Sequence, residues 1–246
     1  MNIALIFAGG TGSRMNNTSS PKQFLSLYNK PIIIYTLEHF EEHPSIDGII
    51  ISCIKSWIPH LKALLKQFNI KKVRSIVPGG RTGQESIFNG LVSTEKYFHK
   101  DSIILIHDAV RPILTEQLIT DNINSVIEFG NAVTSALPTE TPLQVDKNNN
   151  IDIVHQRDIF RVAKAPQSFK LADILSIHRQ AREEKYNNAI DSSSLMLKYG
   201  VSIKLVEGSS SNIKITTPTD YFIFKALIDA HYEKQLSTNH NTFKIQ

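Results

Sequence analysis

The sequence predicts an α/β fold in a single domain: a mostly parallel sheet with helices on both faces and one protruding hairpin. Three observations carry this. Short apolar runs alternate with longer amphipathic stretches, the order expected of repeated βα units. The runs at residues 2–8, 47–53 and 102–107 are nearly unbroken, as in strands covered on both faces. With 246 residues and 41% hydrophobic content, the chain can fill one large core.

The elements follow in order. Residues 2–8 are the first strand. Pro31 opens a helix whose stripe is Ile34, Leu37 and Phe40, ending near His43. A second strand at 47–53 precedes an amphipathic helix at 56–68, which carries Trp57 as a packing residue. A third strand at 73–77 leads through Gly79 and Gly80 into a helix with Ser86 in its first turns. A strand at 102–107, a helix at 115–129 and a strand at 131–137 continue the alternation.

The pattern then loosens. Pro138, Pro142 and the polar turn 146–150 lie among β-prone residues, which reads as a hairpin arm over about 138–165. Helices at 171–184 and 191–199, a strand at 202–207 and a helix from Pro218 to Tyr232 complete a domain of residues 1–234. The polar tail 235–246 is expected to fray.

The chemistry concentrates after the first strand. Ala8-Gly9-Gly10-Thr11-Gly12-Ser13-Arg14-Met15 passes from an apolar run into glycines and an arginine, and Pro21-Lys22-Gln23-Phe24 follows. Glycines let backbone N–H groups approach an anion, and Arg14 and Lys22 add full charges. The stretch is not a Walker loop, because no Lys-Ser or Lys-Thr follows the glycines. It is not the dinucleotide fingerprint either, because Met15 stands where the third glycine belongs.

A net charge of +4, without a basic block or an aromatic-interleaved stripe, fits small polyanions and gives no case for nucleic acid. The single cysteine, Cys53, reads as a buried core thiol. There is no run of about 18 apolar residues, no leader pattern, no Cys/His cluster and no G-x-S-x-G elbow. A cytoplasmic location and no membrane partner are the expectations.

The pattern A-G-G-x-G-x-R-M with P-K-Q-[FY] resembles that of the CTP-dependent polyol-phosphate cytidylyltransferases, which act on ribitol 5-phosphate or 2-C-methyl-D-erythritol 4-phosphate. The resemblance runs from about Ile3 to Ile228. His107-Asp108-Ala109-Val110-Arg111-Pro112 and Asn212-Ile213-Lys214-Ile215-Thr216-Thr217-Pro218-Thr219-Asp220 also match. It implies a Rossmann-like nucleotidyltransferase domain whose arm reaches a partner subunit, hence a homodimer.

It also implies roles. Arg14, Lys22 and Lys214 would be catalytic cations. Ala8, Gly9, Gly10, Thr11, Gly12, Gly80, Ser86 and Asp108 would hold the nucleotide. Arg111, Thr141 and Arg157 would bind the acceptor phosphate, the last two in the neighbour's site. Mg²⁺ would ride mainly on the CTP phosphates, with Asp108 a candidate ligand.

The chain departs from the family run in three places. Gly83 replaces an arginine, with Arg81 two positions earlier; Ala165 replaces the threonine of T-P-Q; Ile190 replaces the threonine before Asp191. Asp191 reads equally as a functional group or a helix N-cap. The implied reaction is transfer of CMP from CTP to a sugar-alcohol phosphate. The departures lean towards ribitol 5-phosphate, with the methylerythritol substrate as the alternative and a weakly active CTP-binding paralogue as a remote one. A nicotinamide reductase is disfavoured, since strand two ends Ser52-Cys53-Ile54 without an acidic residue.

Overall fold

The computed structural model describes residues 1–9 and 20–240, with side chains described to Glu233. The chain runs β1 (Asn2–Ala8), a two-residue pair β2 (Ser26–Leu27) and β3 (Lys30–Pro31), α1 (Ile32–Glu42), β4 (Gly48–Cys53), α2 (Ile58–Gln67) and β5 (Val73–Pro78). It continues with α3 (Gly83–Tyr97), β6 (Ile103–Asp108), α4 (Glu116–Phe129) and β7 (Asn131–Ala136). The hairpin β8 (Leu143–Val145) and β9 (Ile151–Val154) precedes β10 (Val162–Lys170), α5 (Leu171–Glu183), α6 (Ser192–Lys198), β11 (Leu205–Glu207) and α7 (Pro218–His240).

Seven strands form the central sheet in the order β11-β7-β10-β6-β1-β4-β5. β1 pairs in parallel with both β4 and β6, and β10 runs antiparallel between β6 and β7. Side-chain alternation sorts β1 into two cores. Ala4, Ile6 and Ala8 face α1, α2 and α4 through Ile34, Leu37, Leu61 and Ile123. Ile3 and Leu5 face α3, α5 and α6 through Ile87, Leu91, Ile174 and Met196. Both faces are thus covered, as the unbroken apolar runs require. Gly90 of α3 sits where a Cβ would come within 2.3 Å of a Leu5 methyl, so this helix can seat closely only with glycine there.

Caps fix the helix starts. Thr82 accepts from the Glu85 N–H and Thr115 from the Leu118 N–H, while Gly130 ends α4 at φ 84°. Trp57 stacks on Phe24 at 4.7 Å, and Cys53 is fully buried. No helix among the described residues is long and apolar enough to cross a membrane.

The structure corrects the sequence reading at β10. The arm ends before Val162 rather than at residue 165, and 162–170 enters the centre of the sheet. Pro166 argues against a central strand because it cannot donate to the ladder. The sheet accommodates it with a register shift between Ala163 and Gln167. β11 begins at Leu205 rather than 202. The last helix runs past the expected end at Tyr232 to His240, and residues 241–246 lie outside the described residues.

Candidate active site

The chain builds outward from β1 to β4 and β5, then crosses to β6 on the other side of β1. Such a reversal opens a crevice at the carboxyl ends of the strands. A cleft of about 450 Å³ lies there, and Phe7, Asp108, Arg111, Lys164, Gln167 and Lys214 are among its lining residues.

Asp108 ends β6 and is 6% exposed. Its Oδ2 accepts from the Arg111 Nε at 2.8 Å, and its Oδ1 pairs with the Lys214 Nζ at 2.5 Å. Burial by itself would raise the Asp108 pKa, but Lys214 and then Arg111 outweigh it and hold the carboxyl below its ordinary value. The pairing of Asp108 with Arg111 is therefore real, and Lys214 makes it a triad.

Backbone contacts set the triad's geometry. The Ile215 N–H donates to the Val110 carbonyl at 2.9 Å, which lays the 212–215 segment beside the 108–111 turn. Lys214 also stands 5.8 Å over the Phe7 ring at the end of β1. His107 braces the turn from below, donating from Nε2 to the Arg111 carbonyl at 3.0 Å. Burial pushes the His107 pKa down to about 4, so the imidazole stays neutral. Asp220, the last residue of the nine-residue match, accepts from the backbone N–H groups of Thr216 and Thr217 and so fixes the start of α7.

On the β1 side, Gly10, Thr11, Gly12 and Arg14 lie outside the described residues. Their neighbours are placed. Gln23 is 1% exposed and donates to the Ala8 carbonyl at 2.7 Å, tying the Pro21-Lys22-Gln23-Phe24 turn to the end of β1. Lys22 thereby stands next to the start of the glycine stretch.

Ser86 is 2% exposed. Its Oγ accepts from the Gly80 N–H and donates to the Thr82 carbonyl, both at 2.9 Å. A Cβ on Gly9 would come within 2.6 Å of that Oγ, and one on Gly79 within 3.2 Å. Ser86 thus ties the Gly80 turn to the start of α3, and Gly9 passes close against it, a structural role that the sequence did not disclose.

Arg81 lines a neighbouring cavity with Arg182 and Lys185, not the cleft of Asp108 and Lys214. Gly83 does line that cleft, and a Cβ there would meet nothing within 4 Å. Asp191 is the N-cap of α6 in a capping box, and its other oxygen accepts from Gln167 at 2.9 Å. It also borders the cleft, so its two readings are not exclusive.

Thr141 and Arg157 stand on the exposed arm, where Arg157 donates to the Thr139 carbonyl at 3.1 Å, and neither lines the cleft. Lys164 does line it, and sequence reasoning missed it. The available signal was a lysine among the small apolar residues Val162, Ala163 and Ala165, just before Pro166.

A model of the family described as 2-C-methyl-D-erythritol 4-phosphate cytidylyltransferase matches residues 2–230. The chain belongs to this family. Within it, a ribitol-5-phosphate cytidylyltransferase of Vibrio parahaemolyticus is 56% identical, over 96% of this chain and 99% of the relative. A 2-C-methyl-D-erythritol 4-phosphate cytidylyltransferase of Clostridium botulinum is 38% identical over 93% and 97%. The crystal structure of 4-diphosphocytidyl-2C-methyl-D-erythritol synthase from Anaerococcus prevotii superposes with a TM-score of 0.79 at 26% identity, covering 92% of this chain and 95% of that one. The fold and the family expected from the sequence both stand, and the protein is a nucleotidyltransferase of the cytidylyltransferase family.

Proposed function

We propose that this enzyme transfers CMP from CTP to ribitol 5-phosphate, giving CDP-ribitol and pyrophosphate. The observation that carries the acceptor is the 56% identity to a ribitol-5-phosphate cytidylyltransferase over nearly the full length of both chains, against 38% to the methylerythritol relative.

In the reaction an acceptor phosphate oxygen attacks the α-phosphorus of CTP, and the bond to the bridging oxygen breaks in line to release pyrophosphate. No covalent enzyme nucleophile is required. The obstacle is bringing two polyanions together, so positioned cations supply most of the help. Lys22 and Arg14 neutralise the triphosphate from the β1 side. Lys214, held by Asp108, faces the α-phosphate. Arg111, held by the same carboxylate, faces the acceptor phosphate. Ala8, Gly9 and Gly80 line the nucleotide path, with Ser86 setting their spacing.

A divalent cation fits as a partner of the triphosphate. Among the described residues no group of three His, Cys, Asp or Glu side chains could hold one, and both Asp108 oxygens already face cations. Mg²⁺ would be held mainly by the phosphates and screen their charge, and Asp108 would reach it only by giving up one of its two cation partners.

The enzyme acts as a homodimer whose arms complete each other's acceptor sites through Thr141 and Arg157. Supporting this, the arm side chains Leu143, Val145, Ile151, Ile153, Val154 and Ile159 are 44–71% exposed, more apolar surface than a solvated hairpin carries without a partner. The cytoplasm is its proposed location.

The test is Mg²⁺- and CTP-dependent pyrophosphate release with ribitol 5-phosphate and 2-C-methyl-D-erythritol 4-phosphate in parallel. A clear preference for the first is expected. A preference for the second would move the enzyme to its other relatives and make Gly83, Ala165 and Ile190 neutral changes.

A further inference from the structure

Three cations converge on the cleft, and the described carboxylates do not balance them. Asp108 is shared by Arg111 and Lys214. Asp191 is occupied in capping α6 and in accepting from Gln167. Lys164 has no carboxylate partner among the described residues. Its Nζ donates instead to the carbonyls of Asn212 at 3.1 Å and Ser210 at 3.3 Å.

The Asn212 carbonyl also accepts from the Arg111 Nη1 at 2.9 Å. Two cationic heads thus share one oxygen, and their nitrogens stand no farther apart than 6.0 Å. Burial and then the Arg111 charge both lower the Lys164 pKa, which is the mark of a cation held where lost hydration and a neighbouring like charge oppose it. A structural lysine on a sheet face would turn its head to solvent.

The strand is built to aim it inward. The register shift between Ala163 and Gln167 breaks the pleat, so the consecutive residues Ala163, Lys164 and Ala165 all border the cleft. Donors remain for a ligand. An ammonium has three N–H groups and two are committed to carbonyls, while Arg111 commits its Nε and Nη1 and leaves its Nη2 without a partner among the described residues.

We propose that Lys164 and Arg111 together form the seat of the acceptor's phosphate, with Lys164 a binding residue for the polyol phosphate rather than for CTP. This rests on the reading of the enzyme as a polyol-phosphate cytidylyltransferase. The strand order assigns the side: β10 lies beyond β6 from β1, so Lys164 stands on the opposite flank of the triad from Gly9 and Lys22. A phosphate monoester dianion offers three acceptor oxygens and the charge that two adjacent cations lack.

The test compares the wild type with Lys164→Met, which keeps the apolar stem, and Lys164→Arg, which keeps the charge. Steady-state KM is measured separately for ribitol 5-phosphate and for CTP. The expected result is a rise of roughly ten- to a hundredfold in the acceptor KM for Lys164→Met, a CTP KM within about twofold, and partial rescue by Lys164→Arg.

A second measurement needs no turnover. With CTP and Mg²⁺ filling the nucleotide side, inorganic phosphate raises the Tm of the wild type and not that of Lys164→Met. An acceptor KM that stays put would overturn the proposal. So would both KM values rising together, the signature of a lysine that only ties down the 210–212 segment beside Lys214. If the wild type turns over neither polyol phosphate, the function reading fails by itself, and the phosphate shift still decides whether Lys164 seats a phosphate.

Discussion

At the end of β6, Asp108 is 6% exposed and holds two cations in fixed positions; on the arm, Arg157 is exposed and, among the described residues, reaches only the Thr139 carbonyl. The first arrangement is complete within one chain, because burial, two ion pairs and backbone bonds over-determine where Arg111 and Lys214 point. The second is unfinished. Its apolar strands lie open, and its arginine points at nothing in its own cleft. Side chains fixed by burial and ion pairs sit on the sheet, whereas the hairpin carries its arginine outward with a single backbone contact among the described residues.

The largest effect should follow from breaking the sheet side. Lys214→Ala and Lys22→Ala are each expected to lower kcat by about a hundredfold or more, as for other lost charge-assisted contacts to a developing charge, with the far-UV spectrum unchanged. A kcat within threefold of wild type would remove either lysine from the catalytic set.

Breaking the arm should act on binding. Arg157→Ala is expected to raise the acceptor KM about tenfold and leave the CTP KM alone. Mixing it with Lys214→Ala then sharpens the comparison. If each arm serves the neighbour, a mixed dimer regains one intact site, and statistical mixing restores about a quarter of wild-type activity. No recovery on mixing would mean that the arm serves its own chain or none.

A last effect leaves the chemistry untouched: it concerns stability against acid and belongs to the sheet side alone. His178 is 1% exposed with both ring nitrogens unpartnered among the described residues, and burial, then Arg182, lowers its pKa to about 4. His107 is lowered to about 4 as well, chiefly by burial. The unfolded chain binds these protons near pH 6.5 and the folded one does not. Stability is therefore full above pH 6.5 and declines as pH falls towards 4, by up to roughly 3 kcal/mol for each group. His178→Phe should flatten the decline in Tm between those pH values and cost little at pH 7, because it removes an unpartnered polar group. An unchanged slope would show that His178 is not the source.

Much of this was legible in advance. The alternating runs marked β1, β4, β6 and most helices to within a few residues, because burial on both faces leaves a strong one-dimensional signal. The matches singled out Asp108, Arg111 and Lys214 as site residues, although they lie more than a hundred residues apart at their extremes, but not that Asp108 pairs with both cations. β10 was not legible. Its Pro166 breaks the local rule for a central strand, and only the neighbouring strands and a bulge make room for it. The bonds of the Ser86 hydroxyl to the Gly80 N–H and the Thr82 carbonyl were not legible either, because they depend on how the glycine turn folds back onto α3.

By itself the sequence determined the fold class, the family and the residue types available for holding phosphates, since these follow from periodicity, glycine positions and contiguous motifs. The tertiary structure alone decided how the charges are shared. Among the described residues it gave one buried carboxylate to two cations, left Lys164 beside Arg111 without one, and kept Arg157 out of its own chain's cleft. Electrostatic partnership depends on distance and burial, and neither is written along the chain.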